Sequence, residues 1–444
     1  MAERHILITG AGPAGLTAAI AAARAGAKVQ VLEQLDRAGA KLSVCGGGRG
    51  NVTNRLPVEE IAAAFGRQGR FTMPALEAMD PAGLCGFLAE LGVPTTSPDG
   101  LHVYPASQRA GDVTAALTRE CRRLGVEIHC GVKVESLLLD AAHVAQPPSA
   151  VQVRGVTAGG REWPADRVIL AAGGCSYAAL GGTGGGFALA RQAGHTVIEP
   201  VPALVPLVTA ESWPGKLAGV SLADAAIRID LPRERAAASE GDILFTHRGL
   251  SGPAVLNLSG RIARLLTKVS PVPVLLHVPI VPGGGPSKAP VALLERWRST
   301  AGAKPLRALL SHHLPRRLVD VLCDQAGVSA DCKAAQVPRP AQDALAARLA
   351  AIPLTITRTE GFDTAMVTAG GVSLKEVDPR TLASKLIRGL SFAGEVLDLD
   401  GPTGGFNLQW AFASGSLVGT SAVKENTKIT KSTKSTKKSG ETAG

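Results

Sequence analysis

Residues 4–33 read RHILITGAGPAGLTAAIAAARAGAKVQVLE, and this stretch decides the fold. A short apolar run at 5–9 predicts a buried parallel strand, and Gly10, Gly12 and Gly15 place G-x-G-x-x-G at the turn that follows. Gly10 permits a tight turn, Gly12 lets backbone N–H groups approach a pyrophosphate, and Gly15 lets a helix pack closely on the strand. The stretch therefore predicts a βαβ unit that holds a dinucleotide.

The rest of this unit supplies a helix, a second strand and an acidic residue. An alanine-rich helix is predicted from Ala14 to about Arg24, and its N-terminus points unpaired N–H groups toward phosphates. A strand at 28–32 then stops at Glu33, about twenty residues past the glycines, where a ribose hydroxyl needs an acceptor. A carboxylate there favours FAD or NAD over NADP, and this unit does not separate FAD from NAD.

The composition is that of an ordinary globular protein with two or three domains. The chain has 444 residues, of which 45% are hydrophobic and 19% are charged. No uncharged apolar run reaches about 18 residues, so no membrane span is predicted. The alanine-rich N-terminus superficially resembles a signal peptide, but the glycine motif and Glu33 explain it better, and we expect a cytoplasmic protein.

Cysteines and charge exclude several classes of protein. The seven cysteines are odd in number and form no C-x-x-C pair, which disfavours a disulfide framework and a zinc site. His312 and His313 have no carboxylate nearby at metal-ligand spacing, so no metal site is predicted. Of the net charge of +10, the segment 424–444 carries +4 through six lysines and two glutamates. Its near lack of apolar residues predicts a disordered, lysine-rich tail.

The pattern of elements divides the chain into four segments. Helices are predicted at 58–64, 81–91, 110–124, 291–298, 315–326 and 341–350, and further strands at 100–105, 126–129, 132–139, 151–156, 166–172, 225–231 and 272–278. Residues 141–150, AAHVAQPPSA, predict a low-complexity surface insertion. The predicted segments are a first dinucleotide-binding part at 1–200, an inserted region at 201–353, a second dinucleotide-binding part at 354–423 and the tail at 424–444.

Six further motifs occur in order along the chain. They are KLSVCGGGRGNVTN at 41–54, AAGGCSY at 171–177, PALVPL at 202–207, ILFTHRGLSGPAVLNLS at 243–259, VTAGGVSLKEVDPRTLASK at 367–385 and FAGEVLDLDGPTGGFNLQWAFASG at 392–415. With the first motif, they resemble the bacterial flavoprotein family of NAD(P)/FAD-dependent oxidoreductases, or aminoacetone-oxidase-like FAD-binding proteins. The resemblance implies an α/β fold: a two-part Rossmann-type FAD-binding domain with an inserted β-rich plus helical domain that caps the flavin.

The resemblance also implies which residues bind FAD. The residues that would hold the pyrophosphate and the adenosine ribose are Gly10, Gly12, Pro13, Ala14, Gly15 and Glu33. Those expected beside the ribityl chain and the ring are Lys41, Gly47, Arg49, Asn51 and Thr53. Those expected at the adenosine half are Val134, Ala172 and Gly173. Those expected at the ribityl chain and the flavin pyrimidine are Gly394, Glu395, Gly405, Phe406 and Asn407. A helix that starts after Gly405 would stabilise negative charge on a reduced flavin.

Few catalytic side chains are expected, because a flavin performs the redox chemistry itself. His247, in the inserted region, is the candidate acid or base, although a structural histidine bonded to the backbone explains it at least as well. Cys45 is a possible redox partner of the flavin, and a packed small residue is the simpler interpretation. The segment 181–187 lacks the third glycine of a second dinucleotide motif, so any NAD(P)H is expected to dock transiently.

The leading functional hypothesis is an FAD-dependent oxidoreductase that NAD(P)H reduces and that in turn reduces a small enone-like molecule or oxygen. The alternatives are a flavin-dependent oxidase of a small amine or carbonyl compound, an NAD-dependent dehydrogenase, and a nucleic-acid-associated flavoprotein. We expect a small-molecule substrate and no sequence-specific nucleic acid, because aromatic residues make up only 3% of the chain and the tail has none for base stacking.

Overall fold

The computed structural model describes residues 4–140, 151–278, 280 and 289–424. The predicted insertion at 141–150 and the predicted tail beyond Lys424 lie outside the described residues. The strands are β1 His5–Thr9, β2 Lys28–Glu33, β3 Thr53–Asn54, β4 Thr95–Thr96, β5 His102–Pro105, β6 Glu127–Cys130, β7 Val134–Leu139, β8 Val153–Ala158, β9 Arg161–Pro164, β10 Arg167–Leu170, β11 Val197–Ala203, β12 Leu207–Thr209, β13 Ser221–Ile229, β14 Ala238–Phe245, β15 Gly249–Ser251, β16 Val272–His277, β17 Ile352–Thr359, β18 Val367–Val372 and β19 Leu390–Phe392.

Helices cover the sheets and separate the strands along the chain. They are α1 Pro13–Arg24, α2 Val58–Ala64, α3 Gly69–Ala78, α4 Pro81–Glu90, α5 Ala110–Arg123, α6 Gly185–Gln192, α7 Pro253–Leu266, α8 Ala289–Thr300, α9 Leu306–Leu310, α10 Arg316–Gln325, α11 Arg339–Ala350 and α12 Phe406–Val423. The helices predicted at 58–64, 81–91 and 110–124 are confirmed to within one residue. None of the helices in the described residues is long and apolar enough to cross a membrane.

A five-stranded parallel sheet organises the first domain, in the order β19-β10-β1-β2-β6. Its central strand β1 is buried because both faces are covered, and Ile6, Leu7 and Ile8 are fully inaccessible. The chain leaves β1 through α1 to reach β2 on one side, whereas β10 pairs with the other side of β1. The carboxyl ends of β1 and β10 therefore form the topological switch point where ligands bind in such sheets.

Helix α12 returns from the end of the chain to pack on α1. A Cβ placed on Gly415 would lie 2.4 Å from the backbone oxygen of Ala14, and one on Gly419 would lie 2.3 Å from that of Ala18. The two backbones can approach this closely only because both positions lack a side chain. This contact fixes the N-terminus of α12 relative to the glycine turn before α1.

The inserted region forms a closed barrel with the strand order β12-β15-β14-β13-β16-β17. Helices α8–α11 lie between β16 and β17 in the sequence, and the antiparallel ribbon of β11 and β18 joins the barrel to the first domain. The confirmed architecture is thus a two-part Rossmann-type domain with an inserted β-rich plus helical region. The structure differs at the predicted boundaries: position 201 falls inside β11, and position 353 falls inside β17, which pairs with β12 and β16.

Candidate functional site

A cavity of about 510 Å³ lies at the carboxyl ends of β1, β2 and β10, which is a usual size for a cofactor site. Most of the predicted cofactor residues line it. They are Gly10, Gly12, Pro13, Ala14, Glu33, Lys41, Gly47, Asn51, Val134, Ala172, Gly173, Gly394, Glu395, Gly405 and Asn407. These residues come from widely separated parts of the chain, so the fold assembles one continuous site from them.

The glycine turn before α1 forms the floor of this cavity. Gly10 has a φ of 95°, and a Cβ there would lie 2.5 Å from the backbone oxygen of Ala171. A Cβ on Gly12 would meet nothing within 4 Å, so its backbone is open to the cavity. Helix α1 begins at Pro13 with no acidic residue in its first turn. The open backbone and the positive end of the helix dipole suit a pyrophosphate.

Glu33 is held at the end of β2 by two backbone donors. Its Oε2 accepts a hydrogen bond from the N–H of Ala11 at 2.7 Å, and its Oε1 accepts one from Leu35 at 2.9 Å. The neighbouring Gln34 donates from Nε2 to the backbone oxygen of Gly181 at 2.6 Å, which brings the 181–183 loop to the same end of the cavity. A fixed carboxylate here can accept a hydrogen bond from a ribose hydroxyl, as FAD binding requires.

Lys41 and Glu395 form an ion pair across the middle of the cavity. Lys41 Nζ lies 2.8 Å from Glu395 Oε2, and both side chains are less than one third exposed. The other carboxylate oxygen, Oε1, accepts a hydrogen bond from the backbone N–H of Thr368 at 2.9 Å. The pair connects the first part of the dinucleotide-binding domain to the second, and both side chains belong to the cavity lining.

The N-terminus of α12 closes the other end of the cavity. Gly405 has a φ of 91°, and a Cβ there would collide with the backbone of Thr53 at 2.6 Å. Asn407 fixes the preceding loop, because its Oδ1 accepts from the N–H of Gly401 and its Nδ2 donates to the oxygen of Gly401. The first turn of α12 contains no acidic residue that would neutralise the positive end of the helix dipole. This helix end borders the cavity and can stabilise a reduced flavin.

Four predicted cofactor residues do not line the cavity. Gly15 lies behind the turn, where a Cβ would meet the oxygen of Gly10 at 1.9 Å, so it serves helix packing rather than phosphate binding. Thr53 is fully buried beneath Gly405, and Phe406 points into the hydrophobic core. Arg49 is not part of the lining; its Nε donates to Gln108 Oε1 at 2.8 Å and its guanidinium lies over the ring of Tyr104.

The predicted catalytic residue His247 does not line the cavity either. It lies exposed in the turn between β14 and β15, and its backbone packs against Gly215. A turn that connects two barrel strands directs its polar side chains toward solvent. The expectation that His247 faces the cofactor ring is therefore corrected.

Cys45 does line the cavity, but burial raises the pKa of its thiol to about 12. It is therefore a thiol at neutral pH and not the thiolate that redox exchange requires, which agrees with the simpler interpretation of a packed small residue. Across the described residues, no three His, Cys, Asp or Glu side chains are grouped so that they could hold a metal ion.

Several residues of the lining were not predicted from the sequence. Tyr104, Leu204, Met366 and Thr403 belong to it, and so does Trp410 of α12, whose indole N–H donates to the backbone oxygen of Gly394. Except for Trp410, these residues lie in a short strand and in loops that carry no periodicity. Composition offered one signal: the chain has only two tyrosines, and both line the cavity.

Comparisons with known proteins agree with this geometry. The family model described as the HI0933-like protein Rossmann domain matches residues 4–421. The 3-dehydro-bile acid delta(4,6)-reductase of Clostridium scindens is 36% identical over 95% of this chain and 99% of its own. A ribosomal RNA dihydrouridine synthase of Haemophilus influenzae is 29% identical over 92% of this chain and 96% of its own.

A solved structure shows the same fold at much lower identity. The 3-ketosteroid delta1-dehydrogenase of Sterolibacterium denitrificans superposes with a TM-score of 0.52 and is 13% identical, over 95% of this chain and 100% of its own. The glycine floor, the anchored Glu33 and the N-terminus of α12 fit FAD, and the family model spans both halves that build this site. The chain therefore belongs to the HI0933-like Rossmann family and is an FAD-dependent oxidoreductase.

Proposed function

We propose that NAD(P)H reduces this enzyme and that the enzyme then reduces a carbon–carbon double bond conjugated to a carbonyl in a small molecule. The observation that carries the proposal is an apolar mouth to the cavity. Val44 and Met366 both line the cavity, and each remains 45% exposed, which is unusual for large apolar side chains. When bound, FAD accepts two electrons from the donor and supplies a hydride to the acceptor.

The exposed apolar side chains of Val44 and Met366 favour an apolar acceptor that enters the cavity from solvent. Val44 lies three residues after Lys41, and Met366 lies two residues before Thr368, whose N–H donates to Glu395 Oε1, so both belong to the segments that position the ion pair. The relative that is 36% identical is named as a 3-dehydro-bile acid delta(4,6)-reductase. A conjugated double bond is electrophilic at its β-carbon, and the mouth can hold such a molecule against the cofactor.

Transient docking of NAD(P)H is part of the proposal. The second glycine-rich segment, 181–187, belongs to the same cavity through Gly181, Gly182 and Gly185, while Phe187 is buried in the core. It therefore contributes to the one cofactor site that the described residues build, rather than to a second one. A cytoplasmic location, where nicotinamide donors are available, belongs to this proposal as well.

Anaerobic spectroscopy of the purified protein tests the proposal. NADH or NADPH should bleach the flavin bands, and cyclohex-2-enone or a 4-en-3-one steroid should then restore them in the absence of oxygen. Bands that neither nucleotide bleaches would indicate an oxidase of an amine or carbonyl compound. Bands that bleach but are restored by oxygen and not by either enone would contradict the proposed acceptor.

A second candidate is reduction of a base in RNA. The specific observation is the 29% identity to a ribosomal RNA dihydrouridine synthase over nearly the whole of both chains. Uracil also contains a double bond conjugated to a carbonyl, so the same cavity chemistry would apply. Mass spectrometry of ribosomal RNA, incubated with the reduced enzyme, separates the candidates: a gain of two hydrogens at a single uridine would favour this one.

A further inference from the structure

The two tyrosines of this chain lie at opposite ends of the cavity. Tyr177 precedes the 181–183 loop, which Gln34 draws to the Glu33 end. Tyr104 lies on β5, which pairs with β3 and so lies beside the turn that starts α12. The phenol of Tyr104 therefore lies at the α12 end of the cavity, where the flavin ring is expected. The phenol of Tyr177 lies at the end where the adenosine is expected.

Strand β5 fixes the direction of Tyr104. Val103 and Pro105 are buried on one face of the strand, so His102 and Tyr104 project from the other. The neighbouring Asn54 donates from Nδ2 to the oxygen of Gly404 at 3.0 Å, which ties these short strands to the glycine turn. Among the described residues nothing hydrogen-bonds to the hydroxyl of Tyr104, so that group is available to a ligand.

A positive charge is held against the ring of Tyr104. The guanidinium carbon of Arg49 lies 4.5 Å from the ring centroid, and Arg49 Nε is fixed by Gln108 Oε1 at 2.8 Å. Gln108 adopts a left-handed φ of 55°, a conformation that is strained for a non-glycine residue. The ring quadrupole attracts a cation on its face, so Arg49 holds the ring of Tyr104 in place.

We propose that Tyr104, supported by Arg49, is the catalytic acid that protonates the α-carbon of the conjugated acceptor. The inference rests on the proposed function. A hydride, which carries both electrons from the reduced cofactor, forms a bond to the β-carbon while the π bond breaks. The O–H bond of Tyr104 then breaks, its proton forms the new C–H bond at the α-carbon, and the electron pair stays on the phenol oxygen until water returns a proton.

His102 is the competing donor on the same face of β5. Its Nδ1 lies 2.6 Å from Asp99 Oδ2, and its Nε2 would lie 3.2 Å from a Cβ on Gly404. Tyr104 lines the cavity and His102 does not. Gly404, which does line the cavity, lies against the ring of His102. The structure therefore favours Tyr104 as the group that touches the acceptor.

The experiment compares two ways of oxidising the reduced enzyme. Tyr104→Phe protein is photoreduced without oxygen and mixed in a stopped-flow instrument with cyclohex-2-enone or with ferricyanide, which takes electrons and needs no proton on carbon. We expect the enone rate to fall at least about 100-fold, the usual scale of general acid catalysis, and the ferricyanide rate to stay within about twofold. Arg49→Gln should slow the enone rate about two- to fivefold, and Arg49→Lys should restore part of it.

Two further variants make the result specific. Tyr177→Phe removes the same hydroxyl at the other end of the cavity and should change FAD affinity rather than the ratio of the enone rate to the ferricyanide rate. His102→Gln tests the competing donor. An enone rate in Tyr104→Phe that equals the wild-type rate, or a selective loss in His102→Gln alone, would overturn the inference. Wild-type enzyme that neither enone reoxidises would instead overturn the proposed function, and this inference with it.

Discussion

Glu33 shows how a single side chain can carry cofactor affinity. Its carboxylate already accepts two backbone hydrogen bonds, so its position is fixed before any ligand arrives. Glu33→Ala should raise the dissociation constant for FAD about 10- to 150-fold, since a hydrogen bond to a charged group contributes about 1.5–3 kcal/mol. Fluorescence titration of the apoprotein with FAD measures this change.

The control for that titration is Glu59→Ala, at an exposed position in the first turn of α2. An unchanged dissociation constant in Glu33→Ala would show that the carboxylate does not contact the ribose. A similar loss of affinity in both variants would attribute the effect to net charge instead.

Asp398 gives a prediction on pH. Burial raises the pKa of its carboxyl despite the nearby Arg264 guanidinium and the hydrogen bond from Gln68 Nε2, and Oδ1 has no hydrogen-bond partner among the described residues. Because the folded-state pKa lies above the unfolded one, the folded protein favours the protonated acid. The associated stability is complete in acid, below about pH 4, and is lost as pH rises through the raised pKa.

Asp398→Asn should therefore stabilise the protein at pH 7.5, by about 1–3 kcal/mol, the usual cost of an unsatisfied buried polar group. The difference from wild type should vanish below about pH 4, where both side chains are neutral. Urea unfolding at the two pH values measures it. Greater stability of the wild type at pH 7.5 would mean that the ion pair with Arg264 outweighs burial.

At the scale of elements, the contact between α1 and α12 sets the geometry of the cavity. Gly419→Val should destabilise the protein by about 1–3 kcal/mol, because its side chain would overlap the backbone oxygen of Ala18. It should also weaken FAD binding, since α12 carries the helix end at the cavity. Thermal unfolding and FAD titration measure the two effects, and Ser416→Ala, at a half-buried position of the same helix, should change neither.

Elements with strong periodicity were predictable from the sequence, and those that depend on tertiary packing were not. The first βαβ unit, α2, α4 and α5 follow their patterns closely. Helix α3 contains Pro74, and a proline inside a helix usually breaks it because one backbone hydrogen bond is lost. In α3 the burial of Thr72, Ala75 and Leu76 on one face outweighs the loss of that hydrogen bond. Strand β14 begins with five exposed or half-buried residues, 238–242, that show no apolar alternation, and it gave no strand signal before its barrel partners were known.

The same distinction applies to the site. Backbone positions such as Gly10, Gly12 and Gly405 were predictable, because only glycine fits turns of that shape. Arg49 and Thr53 lie in the right motif but do not line the cavity, and sequence order does not determine side-chain direction in an irregular loop. His247 was misplaced because the path of the barrel relative to the first domain depends on long-range pairing.

At the scale of the whole molecule, charge is concentrated at the C-terminus, in a tail that lies outside the described residues beyond Lys424. A protein that ends at Lys424 lacks five lysines and should bind RNA nonspecifically much more weakly. The magnitude of the slope of log K against the logarithm of salt concentration should fall by about 3.5 for single-stranded RNA. Its flavin spectrum and enone reduction should not change. Mobility shifts at several salt concentrations measure the effect, and a sequence-selective shift that survives the deletion would support the RNA candidate.

Lys41 and Glu395, which meet in the cavity, are synthesised at very different times. They are 354 positions apart, and at about 5–20 residues per second roughly 20 to 70 s of translation separate them. Until Glu395 and α12 have been synthesised, the nascent chain contains the glycine turn and Glu33 but lacks the residues of the second part that line the cavity. FAD binding therefore needs nearly the whole chain, and a chain cut short before α12 is expected not to bind FAD.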